Sequence, residues 1–347
     1  MKLLFDIGHP AHVHLFRLFA TEMKEEGHEI LFTARDKDLT ILLLMAYNLP
    51  YISLGKTKKG LLSKILGLFY FEWKLLKVAR KFKPDYLLSH GSIYAAHISF
   101  MIGRPHISFE DTGNMEQITW YKAFTDVILI SDSFTKDLGR KAITYPGYHE
   151  LAYLHPNRFI PNLTVLDKYR LDPNQNIILL RFVSWNATHD INHQGISPSL
   201  KIEAATTFSQ YGHVLISSES ELADELKPYE ININPTDIFD LMAHCKLVFG
   251  ESGTMSSEAA VLGVPAIFID STSREYTQEQ EKKYGLVYNF SESPADIRRA
   301  IHKGVQILSE PKSSNKYKQR QEKLLEDKID VTGFLKEFVL NFEKYRH

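Results

Sequence analysis

Short apolar runs alternate with helix-length amphipathic stretches along almost all of the 347-residue chain. Residues 2–7 read as a buried strand. Residues 13–26 read as a helix, with Leu15, Leu18, Phe19 and Met23 near helical spacing and Gly27 as its stop. The same reading predicts strands at 29–34, 51–54, 86–89, 106–109 and 127–131. Strands separated by helices imply right-handed crossovers and a parallel sheet.

After residue 145 the rhythm breaks. Pro146, Gly147, Pro156, Pro161 and Pro173 fall close together, the punctuation of a connection. From Asn176 the alternation resumes, with strands at 177–182, 213–217, 246–250, 265–270 and 285–290 and a helix over 200–211. Two α/β sheets in tandem follow, with domains expected at 1–146 and 147–330. The tail from 316 to 347 reads as a charged helix or helix pair interrupted near Gly333, and 331–347 is expected to return to the first domain.

Composition narrows the class of partner. Hydrophobic residues make up 44% and charged residues 24%, as in a folding globular chain. Lys plus Arg (41) nearly cancel Asp plus Glu (42), so no overall basic field exists to hold a nucleic-acid backbone. Cys245 is the only cysteine, set among Met242, Leu247, Val248 and Phe249, and reads as a small buried hydrophobe. No charged leader precedes the first strand, and no apolar run approaches the roughly 18 residues of a membrane span. These features point to a cytoplasmic protein. The stretch 61–83 has two readings. Leu61, Ile65, Leu68, Phe69, Leu75 and Leu76 lie beside Lys64, Lys74, Lys77 and Arg80, so it is either a packed helix with a solvated basic face or a peripheral contact with the inner face of a membrane.

In open α/β sheets ligands bind beyond the carboxyl ends of the strands, so the loops after strands carry the candidates. Gly250-Glu251-Ser252-Gly253-Thr254 follows a strand and opens a helix. Gly253 permits close approach of a ligand, and the first helical N–H groups favour phosphate. Thr254 and Glu258 are four apart, hence on one face, which lets Glu258 reach the loop mouth and accept from sugar hydroxyls. The plainer reading is a serine cap with a solvated glutamate. Gly8 to His14 holds three histidines, His9, His12 and His14, just past the first strand. A neutral imidazole at a helix N-terminus suits a general base; the plainer reading of each is a structural histidine.

Two further loops complete the set. His90 and Ser92 follow one strand, and Glu110 and Asp111 follow the next. Adjacent carboxylates can raise one pKa toward acid catalysis, or Asp111 or Thr112 can simply cap a helix. Arg181 near a strand end can hold a diphosphate, and Trp185 can stack on a ring or fill a boundary. His189, Asp190 and Arg274 are placed with them. Asp36 and Asp38 have the spacing of a metal-binding pair, but they follow the second strand and read as a helix start. Three close histidines alone do not define a metal site, and none is assigned.

Together these motifs carry a resemblance. The opening D-I-G-H-P-A-H-V-H-L-F, R-F-V-S-W-N-A-T-H-D, G-E-S-G-T-M-S-S-E-A-A and Q-E-K-K-Y-G-L-V-Y-N-F resemble the domain of unknown function 354 family over nearly the whole chain. That family is grouped with GT-B glycosyltransferases and UDP-N-acetylglucosamine 2-epimerases. The resemblance implies an α/β GT-B fold, two Rossmann-like domains facing across a cleft. His12-Val13 is similar to a pair that opens the first helix in the peptidoglycan N-acetylglucosaminyltransferase. Ser252-Gly253-Thr254, with Glu258 six residues after Ser252, is similar to the epimerase diphosphate loop and its ribose-binding glutamate. His90-Gly91-Ser92 resembles the epimerase His-Gly-Asp, with serine where that enzyme has a catalytic carboxylate. The epimerase His-Arg-Arg-Glu stretch has no counterpart.

The resemblance therefore implies a metal-independent glycosyltransferase with no cofactor. It would move sugar from a nucleotide donor, UDP-linked, to a glycan or lipid-linked acceptor in surface polysaccharide assembly. His12, His14 and Glu110 are its catalytic candidates; Arg181, Ser252, Gly253, Thr254 and Glu258 bind the donor. A nucleotide-sugar epimerase or hydrolase is the alternative, and a non-catalytic nucleotide-sugar-binding module the third reading.

Overall fold

A parallel strand covered on both faces must be apolar throughout, and each of the short apolar runs forms one. The computed structural model describes residues 1–36, 39–56, 61–184, 195–272 and 274–345, with only the backbone at 61–66. The chain divides into two compact units, 1–158 with 329–347, and 159–328.

The first unit holds β1 (Lys2–Ile7), β2 (Glu29–Arg35), β3 (Tyr51–Gly55), β4 (Tyr86–His90), β5 (His106–Glu110), β6 (Val127–Ser131) and β7 (Ala142–Tyr145). They pair in parallel in the order β3-β2-β1-β4-β5-β6-β7. Its core gathers on β1. Leu3, Leu4, Phe5 and Ile7 are all fully buried, and Phe5 stacks on Phe32 at 4.6 Å and meets Phe16 at 5.3 Å. Each such side chain contributes about 1.5–3 kcal/mol by burial. Phe16 belongs to the helix Pro10–Glu25. Pro10 sits in its first turn, His9 Nδ1 accepts from Ala11 N–H at 3.2 Å to cap it, and Val13, Phe19 and Met23 face the sheet.

The helix Leu61–Phe82 packs Phe71, Leu75 and Ala79 against Leu4, Leu54, Leu87 and Ile98. Its other side leaves Phe69, Tyr70 and Trp73 exposed, with the Lys77 ammonium 3.5 Å over the Trp73 ring. Among the described residues no helix is long and apolar enough to cross a membrane. Asp36 precedes a helix that starts only at Thr40, and Asp38 lies outside the described residues.

The second unit holds β8 (Ile177–Phe182), β9 (His213–Ser218), β10 (Cys245–Gly250), β11 (Ala266–Ile269) and β12 (Val287–Phe290), parallel in the order β12-β11-β10-β8-β9. Cys245 is buried and burial pushes its thiol pKa up, which leaves it an inert core group.

Two boundaries differ from the sequence reading. The division after the first sheet falls at 158/159 rather than 146/147. Leu151–Leu154 is buried against the first unit, and Arg158 Nε holds Asp330 at 2.7 Å while its other arm pairs with Glu22. The tail breaks at 328–330, not at Gly333. Asp330 Oδ1 accepts from Gly333 N–H at 3.0 Å and caps the helix Val331–Leu340, so Gly333 lies inside its first turn. That helix joins the first unit, where Phe334 stacks on Tyr145 at 5.3 Å and Thr332 Oγ1 donates to Ala152 O at 2.7 Å.

Candidate functional site

Each sheet reverses its strand order once, and the crevice beyond the strand ends at that point is where parallel sheets bind ligands. The first sheet reverses between β1 and β4, the second between β8 and β10. The candidate loops sit at these two places.

In the first unit the crevice is built from buried ionisable groups. Asp6, on β1 and 1% exposed, accepts from Thr33 Oγ1 at 3.0 Å and from Ser92 Oγ at 2.5 Å. Arg35 lies 3.7 Å from its carboxylate and over the Tyr94 ring at 4.8 Å. Gly8 leaves room for that guanidinium, since a side chain there would push the Arg35 head group aside. Ser92 also caps the helix Ile93–Ile102, accepting from Ala95 N–H at 3.1 Å. Its role is to tie β1, β2 and β4 together beneath the crevice.

Above this floor the histidines gather. His12 stacks on His90 at 4.4 Å and lies 5.9 Å from His9. His90 Nε2 is 2.9 Å from Asp111 Oδ1, and His149 Nδ1 is 3.0 Å from Asp111 Oδ2. Burial alone would raise the Asp111 carboxyl. The two imidazoles reverse that and hold it well below the ordinary carboxylate value. Burial likewise disfavours a charged His90, yet Asp111, by charge and hydrogen bond, outweighs it and raises the ring's pKa. His12 is held well below the usual imidazole value by burial and by the charges of His90 and His9, so it stays neutral. Gly8 N–H approaches His12 Nδ1 at 3.4 Å, which places the ring proton on Nε2. In this arrangement His12 presents a donor rather than the base expected of it.

Two expected catalytic residues are directed elsewhere. His14 lies on the buried side of its helix between Tyr47 (5.8 Å) and Tyr153 (5.4 Å), where burial pushes its pKa down to about 3. It is a core residue. Glu110 is 1% exposed and its carboxylate already accepts from Thr112 N–H (2.8 Å), Thr112 Oγ1 (2.6 Å), Gly113 N–H (3.2 Å) and Tyr121 OH (2.7 Å). Glu110 folds the loop; the carboxylate turned toward the histidines is Asp111. The helix that follows is capped by Asn114, not by Asp111 or Thr112.

In the second unit the crevice is built from backbone. Ser252 caps the helix Gly253–Val261, accepting from Met255 N–H at 3.3 Å. Gly250 approaches the Arg181 carbonyl so closely that no side chain fits. A side chain on Gly253 would meet Tyr276 OH at 3.0 Å, Phe268 at 3.2 Å and Arg274 Cγ at 3.4 Å. Arg274 thus stands beside the helix N-terminus, its side chain 40% exposed and 3.7 Å from Asp270. Thr254 occupies the first turn, while Glu258 is 5% exposed. Arg181 donates through Nη1 to Ser217 Oγ at 2.9 Å and pairs with Glu219. Trp185, His189 and Asp190 lie outside the described residues.

Four contributors escaped the sequence reading. Glu251 accepts from Val183 N–H at 3.0 Å and Ile196 N–H at 2.6 Å, clamping both ends of the loop after β8. Its buried position beside a glycine at a strand end was the available signal. Asp6 and Arg35 close β1 and β2. His149 follows β7, in a stretch whose prolines and glycine read as mere connection.

Known proteins share this architecture. A chain of Methanocaldococcus jannaschii, the uncharacterised protein MJ0665, is 24% identical over 282 residues, covering 77% of this chain and 81% of that one. The UDP-GlcNAc 2-epimerase from Neisseria meningitidis, solved with UDP-GlcNAc, superposes with a TM-score of 0.70 at 14% identity over 98% of this chain and 100% of that one. The glycosyltransferase VinC, solved with dTDP, gives a TM-score of 0.65 at 12% identity over 99% and 100%. The fold is therefore the α/β GT-B fold of sugar-nucleotide transferases and epimerases. The sequence profile described as protein of unknown function (DUF354) matches residues 1–331, and the chain belongs to that family.

Proposed function

We propose that the protein is a glycosyltransferase that takes a sugar from a nucleoside diphosphate donor, UDP-linked, and passes it to a hydroxyl of a glycan or lipid-linked acceptor. The observation that carries this reading is the second unit's loop. Ser252 to Thr254 opens a helix with its N–H groups, Gly253 lets Tyr276, Phe268 and Arg274 pack against it, and the Arg274 side chain is partly exposed beside them. Backbone donors, a helix N-terminus and a guanidinium form the usual set for a diphosphate. They would stabilise it as it leaves, with no metal needed on the nucleotide side.

The acceptor hydroxyl is taken up at the His12, His90 and Asp111 cluster of the first unit. There its proton passes to the His90–Asp111 pair as its oxygen bonds the sugar carbon, and the nucleoside diphosphate leaves with the electrons of the broken bond. Exposed Phe69, Tyr70 and Trp73 with Lys77 fit a lipid–water interface, which supports a lipid-linked acceptor. Ser92 hydrogen-bonds Asp6, and by its resemblance to the epimerase His-Gly-Asp motif it replaces a catalytic carboxylate, which supports transfer over epimerisation.

The test is UDP release from UDP-sugars with and without lipid-linked and glycan acceptors. Transfer predicts release only with acceptor. A new sugar nucleotide formed without acceptor would replace this reading by the epimerase one, and free sugar plus UDP by the hydrolase one.

A further inference from the structure

Three side chains from three separate strand ends converge in the first unit. His90 ends β4, Asp111 follows β5 and His149 follows β7. One donor atom from each lies within 4.8 Å of the others. We infer that His90, Asp111 and His149 form a binding site for a first-row divalent metal ion such as Zn²⁺, Co²⁺ or Mn²⁺.

The spacing suits such an ion. Metal bonds to imidazole nitrogen and carboxylate oxygen are about 2.0–2.2 Å, so neighbouring ligands stand roughly 3–3.5 Å apart. His90 Nε2 lies 2.9 Å from Asp111 Oδ1 and His149 Nδ1 lies 3.0 Å from Asp111 Oδ2, one ring on each carboxylate oxygen. An ion would draw the two rings together around the carboxylate from a spread of at most 4.8 Å.

The ligands are also held in place. Gly91 N–H donates to Ser108 Oγ at 3.0 Å, which fixes the chain just after His90. The His90 ring is covered by His12 at 4.4 Å. The His149 ring stands edge-on to Phe109 at 5.4 Å and to His90 at 5.0 Å. Loops at strand ends with packed rings give the preorganisation that metal sites require.

Hydrogen bonding points the same way. Asp111 is one carboxylate shared between two imidazole nitrogens. His149, with a side chain only 10% exposed, has no hydrogen-bond partner at Nε2, so Asp111 is its one polar anchor. A divalent ion among the three would pair with the carboxylate and engage the ring nitrogens in place of their protons. Asp111 remains 27% exposed, which leaves an entry path and an open coordination position for water or a substrate oxygen. The donor set of two nitrogens and one oxygen favours first-row transition ions over Mg²⁺ or Ca²⁺.

All three donors belong to the first unit, so the inference stands apart from the nucleotide reading of the second. The test uses the full-length protein stripped with chelator, then titrated with ZnCl₂, CoCl₂ and MnCl₂ by calorimetry, with the Co²⁺ absorption spectrum recorded in parallel. His149→Ala and Asp111→Asn are compared with His213→Gln, an exposed histidine at the start of β9 that controls for surface binding. Near-UV circular dichroism checks that each variant is folded, and His149→Gln stands in if the alanine variant is not. The expected result is one equivalent bound by wild type and His213→Gln, with affinity at least 10- to 100-fold weaker in both ligand variants and their Co²⁺ band lost. Absence of stoichiometric binding in wild type, or equal affinity in the ligand variants, overturns the inference. A metal-free hydrogen-bonded relay of histidine, aspartate and histidine would then describe the cluster.

Discussion

The two units place their candidate sites at the same topological position and build them from opposite materials. The first unit fills the crevice between β1 and β4 with side chains that titrate: Asp6, His12, His90, Asp111 and His149. The second fills the crevice between β8 and β10 with backbone, the glycines Gly250 and Gly253 and a helix N-terminus, with arginines at the margin. A site made of backbone donors binds a fixed anion at any physiological pH. A site made of coupled imidazoles and carboxylates moves protons or holds metal. The division matches the two demands of sugar transfer, holding a diphosphate and activating a hydroxyl.

The contrast breaks most sharply at Gly250. Replacing it by valine drives a side chain into the Arg181 carbonyl, a backbone clash that cannot relax cheaply. We expect a loss of about 3 kcal/mol or more, seen as a collapse of the urea midpoint and of nucleotide binding together. A midpoint near wild type would show that β8 and β10 are less tightly apposed than described.

Glu110→Ala probes the first unit in the same way. It strands four donors that are paired with the buried carboxylate, and we expect about 3 kcal/mol of destabilisation. Nucleotide affinity, which the proposed function assigns to the second unit, should be unchanged in the folded fraction. Unchanged stability with lost turnover would instead return Glu110 to the catalytic role expected from sequence.

Acid should also separate the units. His106 is fully buried between Ser89 Oγ and Thr125 Oγ1, each 2.9 Å away, and burial pushes its pKa down to about 3, as it does that of His14. Such groups bind protons only on unfolding, so their stabilisation is whole above about pH 6.5 and falls as the pH drops toward 3. At pH 5 the loss is about 2 kcal/mol for each, by the free energy of 1.5 pKa units. Urea unfolding at pH 7 and 5 should show it, and His14→Phe should flatten the profile. A flat wild-type profile would mean that these rings are charged or solvated.

The smallest structural effect is expected at Arg274. It is 40% exposed, so Arg274→Ala should change stability by no more than about 0.5 kcal/mol. The same change should weaken nucleoside diphosphate binding by roughly 10- to 100-fold, the loss of one charge-assisted contact. Calorimetry reads both sides of this prediction.

Much of this architecture was legible because parallel strands carry unbroken apolar runs. All the predicted strands form, several with the expected ends, as at Lys2–Ile7 and Ile177–Phe182. The order of strands was not legible, since nothing local to β1 or β4 announces that they pair. The loop residues were found by the rule that ligands gather after strands, and the misses follow from where that rule was not applied. His149 sits four residues past β7, but the prolines around it drew attention to the connection instead. His14 and Glu110 failed for a different reason. Each has the right chemistry at the right place in sequence, while its side chain points inward, a property decided by packing partners such as Tyr47 and Tyr121 that lie far along the chain.

The measurement that bears most directly on the central claim is calorimetric binding of UDP, with GDP, CDP, dTDP and ADP beside it, to wild type and Arg274→Ala. The account predicts saturable binding of one nucleoside diphosphate, UDP, weakened in the variant while the fold is retained. Failure of folded wild type to bind any of the five would contradict the assignment of the β10 loop as a diphosphate site, and with it the sugar-nucleotide reading of the protein.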